Sequence, residues 1–122
     1  MRVIIAGSRN VTSPYLISAA IQLSGLDVDT VISGGARGVD RMGEVWAKFN
    51  EKNLEVYPAE WDKYGKSAGY RRNVDMANAA DALIAIWDGV SKGTKHMIDI
   101  AKSRKLIVYV MIVQEEKHNY EA

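Results

Sequence analysis

At 122 residues, 48% of them hydrophobic and 25% charged, the chain has the size and composition of one soluble globular domain with a sizeable core. Its formal net charge of +1, without a long basic run, argues against duplex nucleic acid or an anionic membrane surface as a partner. The absence of cysteine excludes disulfides, thiolate metal sites and a cysteine nucleophile.

Arg2 to Ala6 reads as a buried strand stopped by Gly7-Ser8-Arg9. Its apolar run is too short for a signal peptide or a membrane span, so a cytoplasmic location is expected. Thr12-Ser13-Pro14 starts a helix, since Thr or Ser caps and Pro suits the first turn. Leu16, Ala20 and Leu23 mark its inner face and Gly25 closes it. Thr30 to Ser33 is a second strand, and Gly34-Gly35-Ala36-Arg37-Gly38 turns into a helix running to about Asn50, with Val39, Met42, Trp46 and Phe49 at helical spacing. Leu54 to Pro58 is a third strand. The polar stretch Ala59 to Gly69 follows, longer than most βα loops and of the kind that carries binding segments. Arg71 to Ala80 is expected to be helical, with Val74, Ala77 and Ala80 on one side. Ala82 to Trp87 is a fourth strand, and Asp88 to Gly93 is a turn. Thr94 to Arg104 is a helix with Met97, Ile98 and Ala101 inward. Leu106 to Val113 is the last strand, so residues 1–113 make the domain and 114–122 a polar tail.

Strands that are continuous apolar runs, alternating with helices, indicate a parallel sheet covered on both faces. Right-handed crossovers then give an α/β, Rossmann-like, doubly wound parallel sheet of about five strands. Ligands of such sheets bind beyond the carboxyl ends of the strands, where the turns at Gly7, Gly34 and Asp88 converge.

Gly34, Gly35 and Gly38 alone are ordinary turn glycines, and their spacing is neither the dinucleotide fingerprint nor the phosphate-binding P-loop. Together with Gly7-Ser8-Arg9 and Ser91-Lys92-Gly93-Thr94 they point to a phosphate or ribose held by backbone amides and hydroxyls at helix starts. Asp40 either complements the helix dipole or takes a ribose hydroxyl. Arg9, Arg37, Arg71 and Arg72 supply guanidinium groups suited to phosphate, against the bland alternative of surface arginines. Trp61 and Tyr64 can stack on a base, whereas Trp87 fits core packing at the sheet end. His96 and His118 are isolated, so no metal is expected. Ser8 and Ser33 lack a Ser/His/Asp set. The candidate acids are few: Asp40, Asp62 and Asp88.

The set Gly7-Ser8-Arg9, Ser33 to Asp40, Ala68-Gly-Tyr-Arg-Arg-Asn73, Ala80-Asp81 and Trp87-Asp88-Gly89 through Ser91, Gly93 and Thr94 resembles the YspA-type branch of the SLOG superfamily, related to YpsA and to the DNA-processing protein DprA. The resemblance implies a nucleotide pocket at those turns, formed by Gly7, Ser8, Arg9, Ser33, Gly34, Gly35, Arg37, Gly38, Asp40, Arg72, Asn73, Asp88, Gly89, Ser91, Gly93 and Thr94, to which the residue reading adds Trp61 as the stacking side chain. The enzymatic relatives are the "lonely guy" phosphoribohydrolases, which cleave the N-glycosidic bond of a nucleoside monophosphate. By that alignment Arg72 stands at the position of their catalytic Arg, and Ser91, Gly93 and Thr94 match their phosphate-binding turn. Met97 stands where they keep a catalytic Glu. A thioether can neither stabilise an oxocarbenium ion nor activate water, and only Asp40 or Asp88 offers a carboxylate in its place.

The expectation is therefore a sensor or sequestering protein for a nucleotide-derived ligand, ADP-ribose/NAD-related or a nucleoside phosphate, with no other cofactor required. The alternative is a nucleoside-monophosphate N-glycosidase, phosphoribohydrolase or deoxyribosyltransferase-like, with Arg72, Asp40 and Asp88 in its machinery. A DprA-like nucleic-acid role is disfavoured by the near-neutral charge. Apolar helical faces and Trp46 suggest a homo-oligomer, a dimer or higher.

Overall fold

Six-residue apolar runs with no polar interruption can only be buried if both faces of their sheet are covered. The computed structural model describes residues 1–114 and meets that demand; the tail from residue 115, with His118, lies outside the described residues. Strands β1 (Arg2–Gly7), β2 (Thr30–Ser33), β3 (Asn53–Val56), β4 (Ala82–Trp87) and β5 (Ile107–Ile112) form one parallel sheet in the order β3-β2-β1-β4-β5. Helices α1 (Pro14–Ser24), α2 (Val39–Phe49), α4 (Ala68–Ala79) and α5 (Lys92–Ser103) connect them, with a short α3 (Trp61–Tyr64) between β3 and α4.

Alternate side chains of each strand serve opposite layers. Val3, Ile5, Val31, Ile84 and Ile86 pack with Ile17 and Ala20 of α1 and with Val39 and Ala47 of α2. Ile4, Ala6, Ile32, Leu83 and Ala85 face the other way, onto Met76 and Ala77 of α4 and Met97, Ile98 and Ala101 of α5. Strand order reverses between β1 and β4, so the carboxyl ends of these two strands open onto a crevice.

Four local expectations are corrected. Ala59 to Gly69 is not one polar loop: it contains α3, a 3₁₀ turn at Gly65–Ser67 and the first residues of α4, which begins at Ala68 rather than Arg71. Met76, not Val74, is the deeply buried side chain of α4. Leu23 and Phe49 are exposed. The inward row of α1 runs through Ile17, Ala20 and Ile21, which places Leu23 about 200° round from Ile21. In α2 the buried row is Val39, Gly43 and Ala47, and Phe49 falls off it in the same way. A Cβ at Gly43 would come within 2.9 Å of Ile5 Cγ2, so the helix lies against the sheet through its smallest residues.

Candidate functional site

Two of the glycines serve chain packing. A Cβ on Gly7 would run into the carbonyl of Ile86, and one on Gly38 into the backbone of Ser8 and Arg9. Gly38, at φ +76, brings α2 up to the β1–α1 turn, where the Val39 N–H donates to the Ser8 carbonyl at 3.3 Å.

Gly34 stands differently. A Cβ there would lie 2.5 Å from Arg72 Nη1 and 2.8 Å from Asp40 Oδ2, so this glycine leaves room for two charged side chains of the crevice. Arg72 donates through Nη1 to the Gly34 carbonyl and through Nε to Asn73 Oδ1 at 3.1 Å. Asn73 Nδ2 in turn lies 3.3 Å from the Gly93 carbonyl and 3.1 Å from His96 Nδ1. One turn of α4 thus ties the β2–α2 turn to the start of α5. Asp40 is 5% exposed and accepts from the Ala36 N–H at 3.3 Å. Burial pushes its carboxyl up to about 6, against the opposing pull of the Arg72 guanidinium and the Ala36 and Gly7 amides. Burial likewise pulls Arg72 down, with Asp40 resisting.

Ser33 lies beneath the turn. Its hydroxyl donates to Glu44 Oε2 at 2.7 Å and accepts from the Gly35 N–H at 3.1 Å. Asp88 organises the β4–α5 turn. Oδ1 accepts from Val90 and Ser91 N–H at 2.9 and 2.8 Å, and Oδ2 from the Ser91 hydroxyl at 2.7 Å. Its own N–H donates to Ser8 Oγ at 3.0 Å. Burial raises the Asp88 carboxyl, but these donors outweigh it and hold the group below its usual range.

A cleft of about 510 Å³ lies at the switch point. Of the expected site residues, Gly7, Ser8, Arg9, Arg37, Asp40, Trp61, Arg72, Asn73, Ser91, Gly93 and Thr94 line it. Gly34 and Gly35 face an adjoining hollow of about 310 Å³, which shares Arg9, Arg37, Trp61 and Arg72 with the first. Ser33, Gly38, Asp88 and Gly89 line neither. Asp88 faces a third hollow, beside Val11 and Leu16. Arg71 is turned away, its guanidinium 4.3 Å from the centre of the Tyr64 ring. The sequence reading missed Asn10, Lys66, Tyr70 and Lys92 on the cleft wall. Lys92 lies inside the Ser91–Thr94 turn, Tyr70 inside the Ala68–Asn73 motif and Lys66 inside the Ala59–Gly69 stretch, all already singled out; Asn10 carries no local signal.

The cleft is strongly cationic for so neutral a chain. Among the described residues Arg9, Arg37, Lys66, Arg72 and Lys92 face it, and Asp40 is the one carboxylate that does. The first turn of α5 adds amides that have no intrahelical acceptor, and the first turn of α2 brings Asp40. Met97 is buried at the floor. Such a surface is electrostatically complementary to an anion.

Among the described residues no helix is long and apolar enough to cross a membrane, and no His, Asp and Glu cluster is arranged to hold a metal ion. The chain is 40% identical over 72 residues to the gene 61 protein of Mycobacterium phage D29, a match covering 54% of this chain and 58% of that protein's length. No solved structure matches it. The model of the YspA, cpYpsA-related SLOG family matches residues 1–64, a little over half of the chain, and spans β1, β2, the glycine turn and α2. The chain belongs to the YspA, cpYpsA-related SLOG family.

Proposed function

We propose that the cleft binds a nucleotide-derived ligand, an ADP-ribose/NAD-related molecule or a nucleoside phosphate, and that the protein acts as its sensor or sequestering agent. The observation that carries this reading is the charge of the cleft, where the described residues set five cationic side chains against one buried carboxylate in a chain of net charge +1. Family membership supports a nucleotide-related ligand. In this reading phosphates lie against the Ser91–Thr94 turn and the Gly34–Gly38 turn, Arg9, Arg37 and Arg72 neutralise them, and Trp61, 52% exposed at the rim, covers the base. Native mass spectrometry of the freshly purified protein, followed by incubation with nucleotides and chromatography, tests it. A bound nucleotide recovered unchanged is the expected result; failure of every anionic nucleotide to bind would refute it.

One observation favours N-glycosidic cleavage as a second reading. Asp40, the one carboxylate among the described residues of the cleft, has its carboxyl raised by burial to about 6 beside Arg72, within the range useful for proton transfer. Free base released from a nucleoside monophosphate, and lost in both Asp40→Asn and Arg72→Ala, would establish it.

A further inference from the structure

The two edges of the sheet are unlike. β3 is four residues long, carries Asn53 and Glu55 and is followed two residues on by Pro58, all features that discourage further pairing. β5, Ile-Val-Tyr-Val-Met-Ile, has no charge, proline or glycine among its six residues. Ile107 and Ile112 at its ends are 49% and 60% exposed. Trp46, by contrast, is packed against the core and is not the surplus apolar surface the sequence suggested.

The ladder fixes which groups of β5 are left unpaired by β4. Ile107 N–H donates to the Asp81 carbonyl and Val113 N–H to the Trp87 carbonyl, and the register runs Ala82↔Ile107 to Trp87↔Ile112. The odd-numbered residues therefore direct their amides at β4. Val108, Val110 and Ile112 direct theirs outward, where no described residue meets them. These three positions are symmetric about Val110. In an antiparallel pairing of two identical strands about a two-fold axis normal to the sheet, Val110 faces Val110 of the second copy and Val108 faces Ile112. Each couple then exchanges two N–H···O=C bonds. Tyr109 faces Met111 in the intervening positions. Every cross-strand couple is apolar, and no like charges meet.

We propose that β5 is the self-association surface of this protein, joining two copies edge to edge into one continuous sheet with Val110 on the dyad. The association is concentration-dependent, because pairing of a six-residue edge lies at the small end of specific interfaces.

Sedimentation velocity of the full chain across a concentration series tests this, together with Ile112→Lys and Val110→Pro. Ile112→Lys alters an exposed side chain and leaves the ladder to β4 intact, so it reports even if the proline variant folds poorly. The expected result is a monomer–dimer equilibrium whose dissociation constant rises about 10-fold or more in each folded variant. A single thiol at the dyad adds a positional readout in a chain that has no cysteine of its own. Val110→Cys should cross-link into a covalent dimer on mild oxidation, and Val45→Cys on the outer face of α2 should not. A wild-type chain that stays monomeric at every concentration would overturn the proposal. So would a dimer unchanged by Ile112→Lys and not captured through Val110→Cys.

Discussion

Arg72 donates its Nη1 proton to the carbonyl oxygen of Gly34, so the fourth helix holds the turn that follows the second strand. The same guanidinium lines both hollows of the site, and burial lowers its pKa while Asp40 raises it. It is thus both a strut and a cation.

Removing Arg72 should affect binding more than folding. Arg72→Ala is expected to weaken an anionic nucleotide by about 10- to 100-fold, the size of one or two charge-assisted hydrogen bonds. Arg72→Lys should recover only part of this, because an ammonium cannot reach Gly34 and Asn73 with one planar fork. Isothermal titration of the variants decides the matter; equal affinities would remove Arg72 from the site.

The glycines should separate into two classes. Gly7→Ala puts a methyl group into the Ile86 carbonyl and is expected to destabilise the fold by about 1–3 kcal/mol. Gly34→Ala meets the ends of the Arg72 and Asp40 side chains and not backbone, so the melting temperature should move less than in Gly7→Ala while ligand affinity drops with the displaced guanidinium. Thermal melts beside binding isotherms would show the split. Identical behaviour of the two variants would mean that Gly34, like Gly7, only packs the chain.

The alternation of apolar runs and helices made the sheet legible, because burial on both faces leaves β4 wholly apolar and confines the polar residues of β1 and β2 to the strand ends. The glycine turns were legible as places, since few other residues adopt φ near +75° as Gly35 and Gly38 do. What each glycine does was not, because the neighbour that excludes a Cβ comes from another part of the chain: Ile86 for Gly7, Arg72 for Gly34. The same limit explains Leu23 and Phe49. Helices that press closely on a sheet do so through Gly43, Ala47 and Ala20, and a reading that follows bulky residues drifts off that row. Asp88 looked like a cleft acid in the sequence, and only the folded turn shows its carboxylate engaged by Val90 and Ser91.

Asp40 should impose a pH dependence on stability. Its carboxyl rises from an ordinary 3.8 to about 6 in the folded chain. The native state therefore holds a proton that the unfolded state has released between those two values. Stability from this group falls as pH rises through that window, and the penalty is complete above about pH 6. A shift of about 2 units corresponds to roughly 3 kcal/mol. Asp40→Asn, which keeps the size and cannot ionise, should thus gain on wild type between pH 4 and 7. Denaturant titrations at several pH values measure this, and a constant difference between the two proteins would show that Asp40 is not the group responsible.

Trp61 offers the sharpest separation between a site for nucleotides and a site for any phosphate. It is 52% exposed, lies outside the packed layers and borders both hollows. Trp61→Ala should therefore change stability by no more than about 0.5 kcal/mol. Loss of a stacked base is expected to weaken a nucleotide by about 10-fold, within the range of single base–aromatic contacts. Pyrophosphate and ribose 5-phosphate, which have no base, should bind the variant as they bind wild type, since Arg9, Arg37 and Arg72 are untouched. Titrating all three ligands into both proteins gives the answer. If affinity for the base-free ligands falls as far as that for the nucleotide, Trp61 shapes the cleft wall and does not read the base.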